Sequence, residues 1–347
     1  MARDSGNNPA DLESVAKHAG VSISTVSRAL TRPDRVAAAT RERVLESAAQ
    51  LGYAPNQLAR SLRMQGSRTI GLIISDILVP FHSEVAKGVE DFASAHHYTT
   101  ILCNSSENGQ KEKQYLELLK GFKVGGVILE PTEAGVATIE ALARAGTPVV
   151  EVDRISGARG VRAILSDNSD GARQAAEYLL GLGHSSFGVI AGDTKITSGR
   201  ERLQGFEEEL NRHNIILEAN RVVRSPNTDA SGYVAFLELF DQPNSPKAVF
   251  VCNFQMMGGV LRAVRKLGLR VPKDLSLIGF DDSTWASVVD PPITVIAQQA
   301  YELGRMAAQM ILDSIEGKTI KLGVTRLQTK LIERESCARV PMPTGKR

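Results

Sequence analysis

Cysteine is scarce: Cys103, Cys252 and Cys337 are the three in 347 residues, far apart and never in CxxC spacing. That excludes a disulfide framework and a thiolate zinc site, and reads as reduced thiols. No apolar run approaches the ~18 residues that span a bilayer, so no membrane segment is expected. The opening MARDSGNNPADLE is polar and lacks the apolar core of a secretory leader, so a cytoplasmic protein is expected. Gly181-Leu-Gly183 follows a helical pattern rather than a strand, the wrong context for a dinucleotide fingerprint. The six histidines are scattered, and no Ser/His/Asp or Cys/His set, phosphate loop or metal spacing stands in a recognisable motif. No cofactor, metal or enzymatic activity is therefore expected. With 42% hydrophobic and 23% charged residues, this is an ordinary globular composition, and the length suggests two or three domains.

What is present begins at Leu12–Arg28, LESVAKHAGVSISTVSR. Ala16, Ala19, Val21 and Val26 fall at helical spacing, Gly20 breaks the run, and Ser22 stands where an N-cap belongs. Two short helices around a glycine turn form a helix-turn-helix, whose second helix enters the DNA major groove. That helix, about Ile23 to Leu30, presents Ser24, Thr25, Ser27 and Arg28. The alternative is a plain helical hairpin inside a core. A third helix, Val36 to Leu51, places Val44, Leu45, Ala48 and Leu51 on one face. Pro55 stops its continuation, and Asn56–Arg63 is a candidate short helix too small to fold without a partner. Residues 1–66 carry nine Lys/Arg against six acids, a net +3, and the remainder sums to −1. A positive head on a near-neutral body fits nucleic-acid contact confined to the head.

From Thr69 apolar runs alternate with amphipathic helices. Expected strands are 69–75, 99–104, 126–129, 149–153, 186–191, 248–251, 275–280 and 294–297. Expected helices are 82–95, 111–122, 168–182, 200–211, 231–239, 256–267 and 303–315. Nearly all-apolar strands alternating with helices imply parallel sheets covered on both faces, and some 280 residues exceed one comfortable core, so two lobes are expected.

These motifs together resemble the lactose/galactose-repressor (LacI-type) family of bacterial transcription factors over nearly the whole chain. The resemblance is carried by Val15-Ala16, Ala19-Gly-Val-Ser22, Thr25-Val-Ser-Arg28, Gly52-Tyr-Ala-Pro-Asn56, Leu58-Ala-Arg-Ser-Leu62, Gly183-His184, Arg202-Leu-Gln-Gly-Phe206, Leu277-Ile-Gly-Phe-Asp-Asp282 and Pro291-Pro292. It implies an α/β protein: an all-α helix-turn-helix head, then a two-lobed body of the type I periplasmic-binding-protein fold with parallel sheets. The implied boundaries are a head at 1–66 with a hinge helix at 56–63 and a body at 67–347. The N-lobe covers about 67–167 and 299–328, the C-lobe about 168–298 and 329–347. It further implies a homodimer on palindromic double-stranded operator DNA, switched by a small sugar-like effector between the lobes. The short polar tail has no leucine heptads, which favours a dimer over a tetramer.

Position by position, the resemblance assigns base or phosphate contacts to Ser22, Ile23, Ser24, Thr25, Ser27 and Arg28 and hinge contacts to Asn56, Ala59 and Leu62. Leu62 matches the leucine that wedges into the central minor-groove step. It assigns the effector cleft to Ser75, Phe81, His82, Glu130, Asp153, Ser198, Arg202, Asn253, Phe254, Asp281 and Gln298. Most of these follow the C-terminal ends of expected strands, where open α/β sheets bind ligands. Arg202 offers a forked donor set and Asp281 an acceptor for hydroxyls. The sequence departs from the family pattern at Thr31, often Asn. Asn227 stands where an aromatic ring often stacks on the effector, and Phe254 where Asp usually follows Asn253. A neutral polyhydroxylated ligand fits Glu130, Asp153 and Asp281 set against Arg154 and Arg202. A regulator answering to a protein co-effector and a sugar-binding transport component are the rival readings.

Overall fold

The computed structural model describes residues 11–31, 35–53, 67–318 and 322–341. The chain divides into two compact units, Met1–Ser67 and Arg68–Arg347.

The first unit holds α1 (Leu12–Ala19), α2 (Ile23–Thr31) and α3 (Ala38–Gln50). Asp11 caps α1 by accepting the Ser14 N–H, and Gly20 closes it in the left-handed region at φ 63°, which a side chain would oppose. Ser22 Oγ accepts the Thr25 N–H at 3.2 Å and so starts α2. Val15, Ala16, Ala19, Val26, Ala29, Val44 and Ala48 form the buried core. Leu45 departs from the expected inward face and is 44% exposed, because one residue of helix turns it about 100° away from Val44. The expected hinge helix at 56–63 lies outside the described residues.

The second unit runs β1 (Thr69–Ile74), α4 (Pro80–Ala95), β2 (Thr99–Asn104), α5 (Gly109–Gly121), β3 (Gly126–Leu129), α6 (Val136–Arg144), β4 (Val149–Val152) and β5 (Arg162–Ser166). It continues through α7 (Asn168–Gly181), β6 (Phe187–Ala191), α8 (Thr197–Arg212), β7 (Val222–Arg224), α9 (Asp229–Phe240), β8 (Ala248–Val251), α10 (Met257–Lys266), β9 (Ser276–Phe280) and β10 (Thr294–Ala297). It ends with α11 (Ala300–Ile315), β11 (Val324–Leu327) and β12 (Lys330–Ile332).

Two six-stranded sheets result, ordered β11-β5-β4-β3-β1-β2 and β12-β10-β9-β8-β6-β7. Every pairing is parallel except β10 with β12. Each sheet has an apolar core on both faces, as apolar parallel strands require. The chain passes between sheets three times, after β5, after β10 and after β11. After β10 it returns as α11 to the first sheet, packing on α4. A Cβ at Gly88 would lie 2.0 Å from the Tyr301 carbonyl oxygen, so only glycine lets these helices approach.

Five body elements carry too little signal to be expected from sequence. β7 has three residues, β5 opens on a buried arginine, β11 and β12 are short half-exposed edge strands, and α6 is nine residues long. Among the described residues no helix is long and apolar enough to cross a membrane.

Candidate functional site

In the first unit, Val26 and Ala29 pin α2 to the core, which turns Ile23, Ser24 and Arg28 to solvent. Ile23 is 44% exposed. The hydroxyls of Ser24 and Thr25 each lie 2.9 Å from Ser22 Oγ, so all three gather at the helix start. Thr25 and Ser27 are half-buried beside them. The exposed edge thus combines one apolar side chain, a hydroxyl cluster and one guanidinium, a mixture that can touch base edges and phosphates. Asn56, Ala59 and Leu62 lie outside the described residues.

In the second unit, the expected cleft residues sit past the C-terminal strand ends of both sheets. On the first lobe, Ser75 follows β1, Glu130 follows β3, Asp153 follows β4, and Phe81 and His82 lie in the first turn of α4. Glu130 is buried and takes three contacts. Its Oε2 accepts the Ser75 N–H and the Ser75 hydroxyl, both at 2.7 Å, and its Oε1 lies 2.8 Å from His82 Nδ1. His82 Nε2 lies 3.1 Å from Ser75 Oγ. With the only Ser75 hydroxyl proton given to Glu130, the ring closes when both imidazole nitrogens donate, which requires the imidazolium. Burial opposes that charge, but the Glu130 carboxylate overrides it and holds the His82 pKa above its ordinary value. Burial likewise opposes the Glu130 charge, and His82 reverses the balance, keeping this carboxyl below its usual range. This is not a nucleophile relay: Ser75 is fully buried and its proton points to the acid, not to the base. Beside the ring, burial pushes Asp153 up to about 6 against the pull of Arg154. Arg154 is itself buried and donates to Glu107 at 2.8 Å.

The second lobe is wired differently. Arg202, on α8, is 3% exposed. Its Nε donates to Asn168 Oδ1 at 2.8 Å and its Nη1 to the Cys252 carbonyl at 2.9 Å, while the guanidinium lies 3.8 Å over the Phe280 ring. Asp281 Oδ2 is 3.7 Å away, and Asp281 Oδ1 accepts from the Gln298 amide. Much of the donor fork is thus already committed to protein. Asn253 caps the short turn after β8 by accepting the Gln255 N–H at 2.8 Å. Ser198 is buried in the first turn of α8. Phe254 is only 8% exposed, with its ring 4.4 Å from that of Trp285, and belongs chiefly to the core. The Asn227 amide oxygen accepts the Asp193 N–H at 3.2 Å and lies against Gly192, tying two loops together.

Asp153 and Asp281 hold equivalent places, after β4 and β9, in the two sheets. Both adopt the left-handed region, at φ 68° and 80°, a strain that clusters at functional sites. A cleft of about 470 Å³ opens between the lobes, lined by Phe81 and Glu84 on one side and Asp281, Asp282, Gln298 and Arg334 on the other. Burial, then Asp282 and Asp281, raise the Glu84 pKa. Arg334 grips Asp282 through two hydrogen bonds of 2.9 and 2.8 Å. Glu84, Asp282, Arg334, Asn168 and Trp285 were not expected at the site. Asp282 was legible beside Asp281 in the Phe-Asp-Asp run, while Arg334 comes from the segment after β12, far away in sequence and with no local signal.

Comparison with known proteins settles the family. Residues 11–56 match the model for bacterial regulatory proteins of the lacI family, and residues 176–337 match a periplasmic binding protein-like domain. Along 336 residues the chain is 35% identical to the HTH-type transcriptional repressor CytR of Escherichia coli K12, covering 96% of this chain and 97% of that one. The chain belongs to the lacI family. Among solved structures, the lac repressor dimer bound to operator and the anti-inducer ONPF superposes with TM-score 0.84 at 28% identity, covering 95% of this chain and 100% of that one. A complex of the transcriptional regulator CelR with cellobiose gives TM-score 0.72 at 33% identity, covering 94% and 99%. This lacI-family chain is a DNA-binding transcriptional regulator and not an enzyme.

Proposed function

We propose that the protein is a cytoplasmic repressor that binds a palindromic operator as a homodimer and whose operator affinity is set by a sugar or sugar derivative in the cleft. The observation that carries this reading is the lining of the cleft. Phe81 and Glu84 on one lobe and Asp281, Asp282, Gln298 and Arg334 on the other line the cleft with mixed donors and acceptors, the chemistry that holds hydroxyls, and Ser75, His82, Glu130, Asp153 and Arg202 are buried at the strand ends. The lac repressor and CelR complexes, with operator and with cellobiose, support the same reading. Ile23 and Ser24 read bases, Arg28 adds affinity through phosphate, and Asn56, Ala59 and Leu62 form the hinge contact, Leu62 as the wedge.

The test has two arms. An operator is selected from randomised DNA, and affinity is measured at several salt concentrations; log K falls linearly with log salt, and the selected site is palindromic. Replacing Ile23 or Ser24 changes the preferred base at one half-site position by roughly 1–3 kcal/mol. Sugars, sugar acids and nucleobases are then screened by thermal shift, and hits are titrated against operator binding. A non-symmetric site bound by a monomer overturns the DNA reading. No small-molecule hit overturns the effector reading and moves weight to a protein co-effector.

A further inference from the structure

The two lobes are joined by an ion pair that the effector site does not use directly. Arg326 lies on β11, an edge strand of the first sheet, and Glu201 lies on α8, packed on the second. Arg326 Nη1 donates to Glu201 Oε2 at 2.9 Å and Nη2 to Oε1 at 2.6 Å, a parallel two-point grip. Glu201 is 15% exposed and Arg326 37%, so the pair is only partly screened. The connectors between lobes meet at the same place. Arg326 Nη1 reaches the Ser166 carbonyl at 3.4 Å, the Asp167 N–H donates to the Leu327 carbonyl at 2.8 Å, and Asn168 Nδ2 donates to the Ser166 carbonyl at 3.2 Å. Asn168 also lies 3.5 Å from Glu201 Oε2, and its own Oδ1 accepts from Arg202 Nε.

We infer that Glu201–Arg326 is an interlobe latch that fixes the angle between the lobes, with Asn168 as the joint tying it to Arg202. Glu201 and Arg202 are neighbours on one helix. A movement of Arg202 toward a ligand therefore pulls on Asn168 and on the carboxylate that Arg326 holds. Glu201, Asn168 and Arg326 are positioning residues: they act through Arg202 and the connectors. A two-point guanidinium–carboxylate grip has directional geometry, so losing it frees a rotation rather than only a charge. The latch rests on the proposed effector reading for the motion it opposes, but the lobe angle itself is measured without ligand, so the two fail separately.

The experiment uses full-length protein with Cys337→Ser and spin labels at Arg159→Cys and Lys195→Cys. Both positions are exposed, on opposite lobes. Labelled subunits are diluted with unlabelled protein so that each dimer carries one labelled pair, and the intrasubunit distance is read by double electron–electron resonance. Wild type gives one narrow distribution. Glu201→Gln and Arg326→Ala each shift it by a few ångström or broaden it, and the exchanged pair Glu201→Arg with Arg326→Glu restores it. Raising salt from about 0.05 M to about 1 M, which shortens the Debye length to about 3 Å, moves wild type toward the single mutants and leaves those unchanged. Single mutants whose distributions superimpose on wild type at both salts overturn the latch. So does an exchanged pair that fails to restore the distance while the protein remains folded by circular dichroism.

Discussion

The two lobes have the same strand order and opposite electrical habits. Position for position, β1, β3 and β4 of one sheet answer to β6, β8 and β9 of the other, and Asp153 answers to Asp281 with the same left-handed backbone. Yet the first lobe buries a closed ring in which an imidazole, a carboxylate and a hydroxyl, from His82, Glu130 and Ser75, satisfy one another. The second lobe sets a permanently charged arginine among a carbonyl, an amide and an aromatic face. One topology thus supplies a face built round a buried imidazole–carboxylate pair and a face built round a buried guanidinium.

The largest expected break of this contrast is Glu130→Gln. Removing one charge of a buried pair leaves the imidazolium uncompensated and costs about 3–5 kcal/mol at pH 6; Asp281→Asn, on a partly open face, costs no more than about 1 kcal/mol. Equal losses in urea unfolding at the two positions would erase the distinction. The pH dependence carries a definite sign. The raised His82 pKa contributes stability that is complete below about 6.5 and fades as pH rises through the higher folded value. Glu130→Gln removes that decline.

Next in size is Arg202→Ala, which weakens sugar binding by about 2–5 kcal/mol, since it strips the site of a buried donor and leaves Asn168 Oδ1 and the Cys252 carbonyl without it. Calorimetry with the sugar found by screening checks this, and binding at undiminished affinity would place the site elsewhere.

The smallest effect sharpens the comparison. Asp153 is held near 6, above its unfolded value of 3.8, so its burial costs stability progressively as pH rises from about 4 to 6. Asn keeps the left-handed backbone without the charge. Asp153→Asn is therefore more stable than wild type by about 1–2 kcal/mol at pH 8 and not at pH 4. A gain of equal size at both pH values would assign the effect to packing rather than ionisation.

Much of this was legible in the sequence because it is local. The glycine turn and Ser22 cap announce the head, and the apolar runs announce the strands that Asp153, Asn253 and Asp281 follow. What stayed hidden depends on partners distant in sequence. Nothing around Ser75, His82 or Glu130 says that they close a ring, because their pairing is made by β1, α4 and β3 meeting in space. Arg202 reads as a free ligand fork until Asn168 and the Cys252 carbonyl are seen to occupy it. Leu45 reads as core until the helix turns it outward. Phe254 reads as a ligand wall until Trp285 covers it. The edge strands β11 and β12 have no apolar run, and so Arg326 could not be placed opposite Glu201.

The central claim is that unlike faces of one cleft act together on DNA affinity. Operator binding by fluorescence anisotropy, with and without saturating sugar, tests it most directly in wild type, Asp153→Asn and Asp281→Asn. The account predicts a wild-type shift of about 5- to 150-fold that shrinks in each mutant, one from either lobe, while sugar-free operator affinity holds. A full shift surviving in both mutants would contradict it.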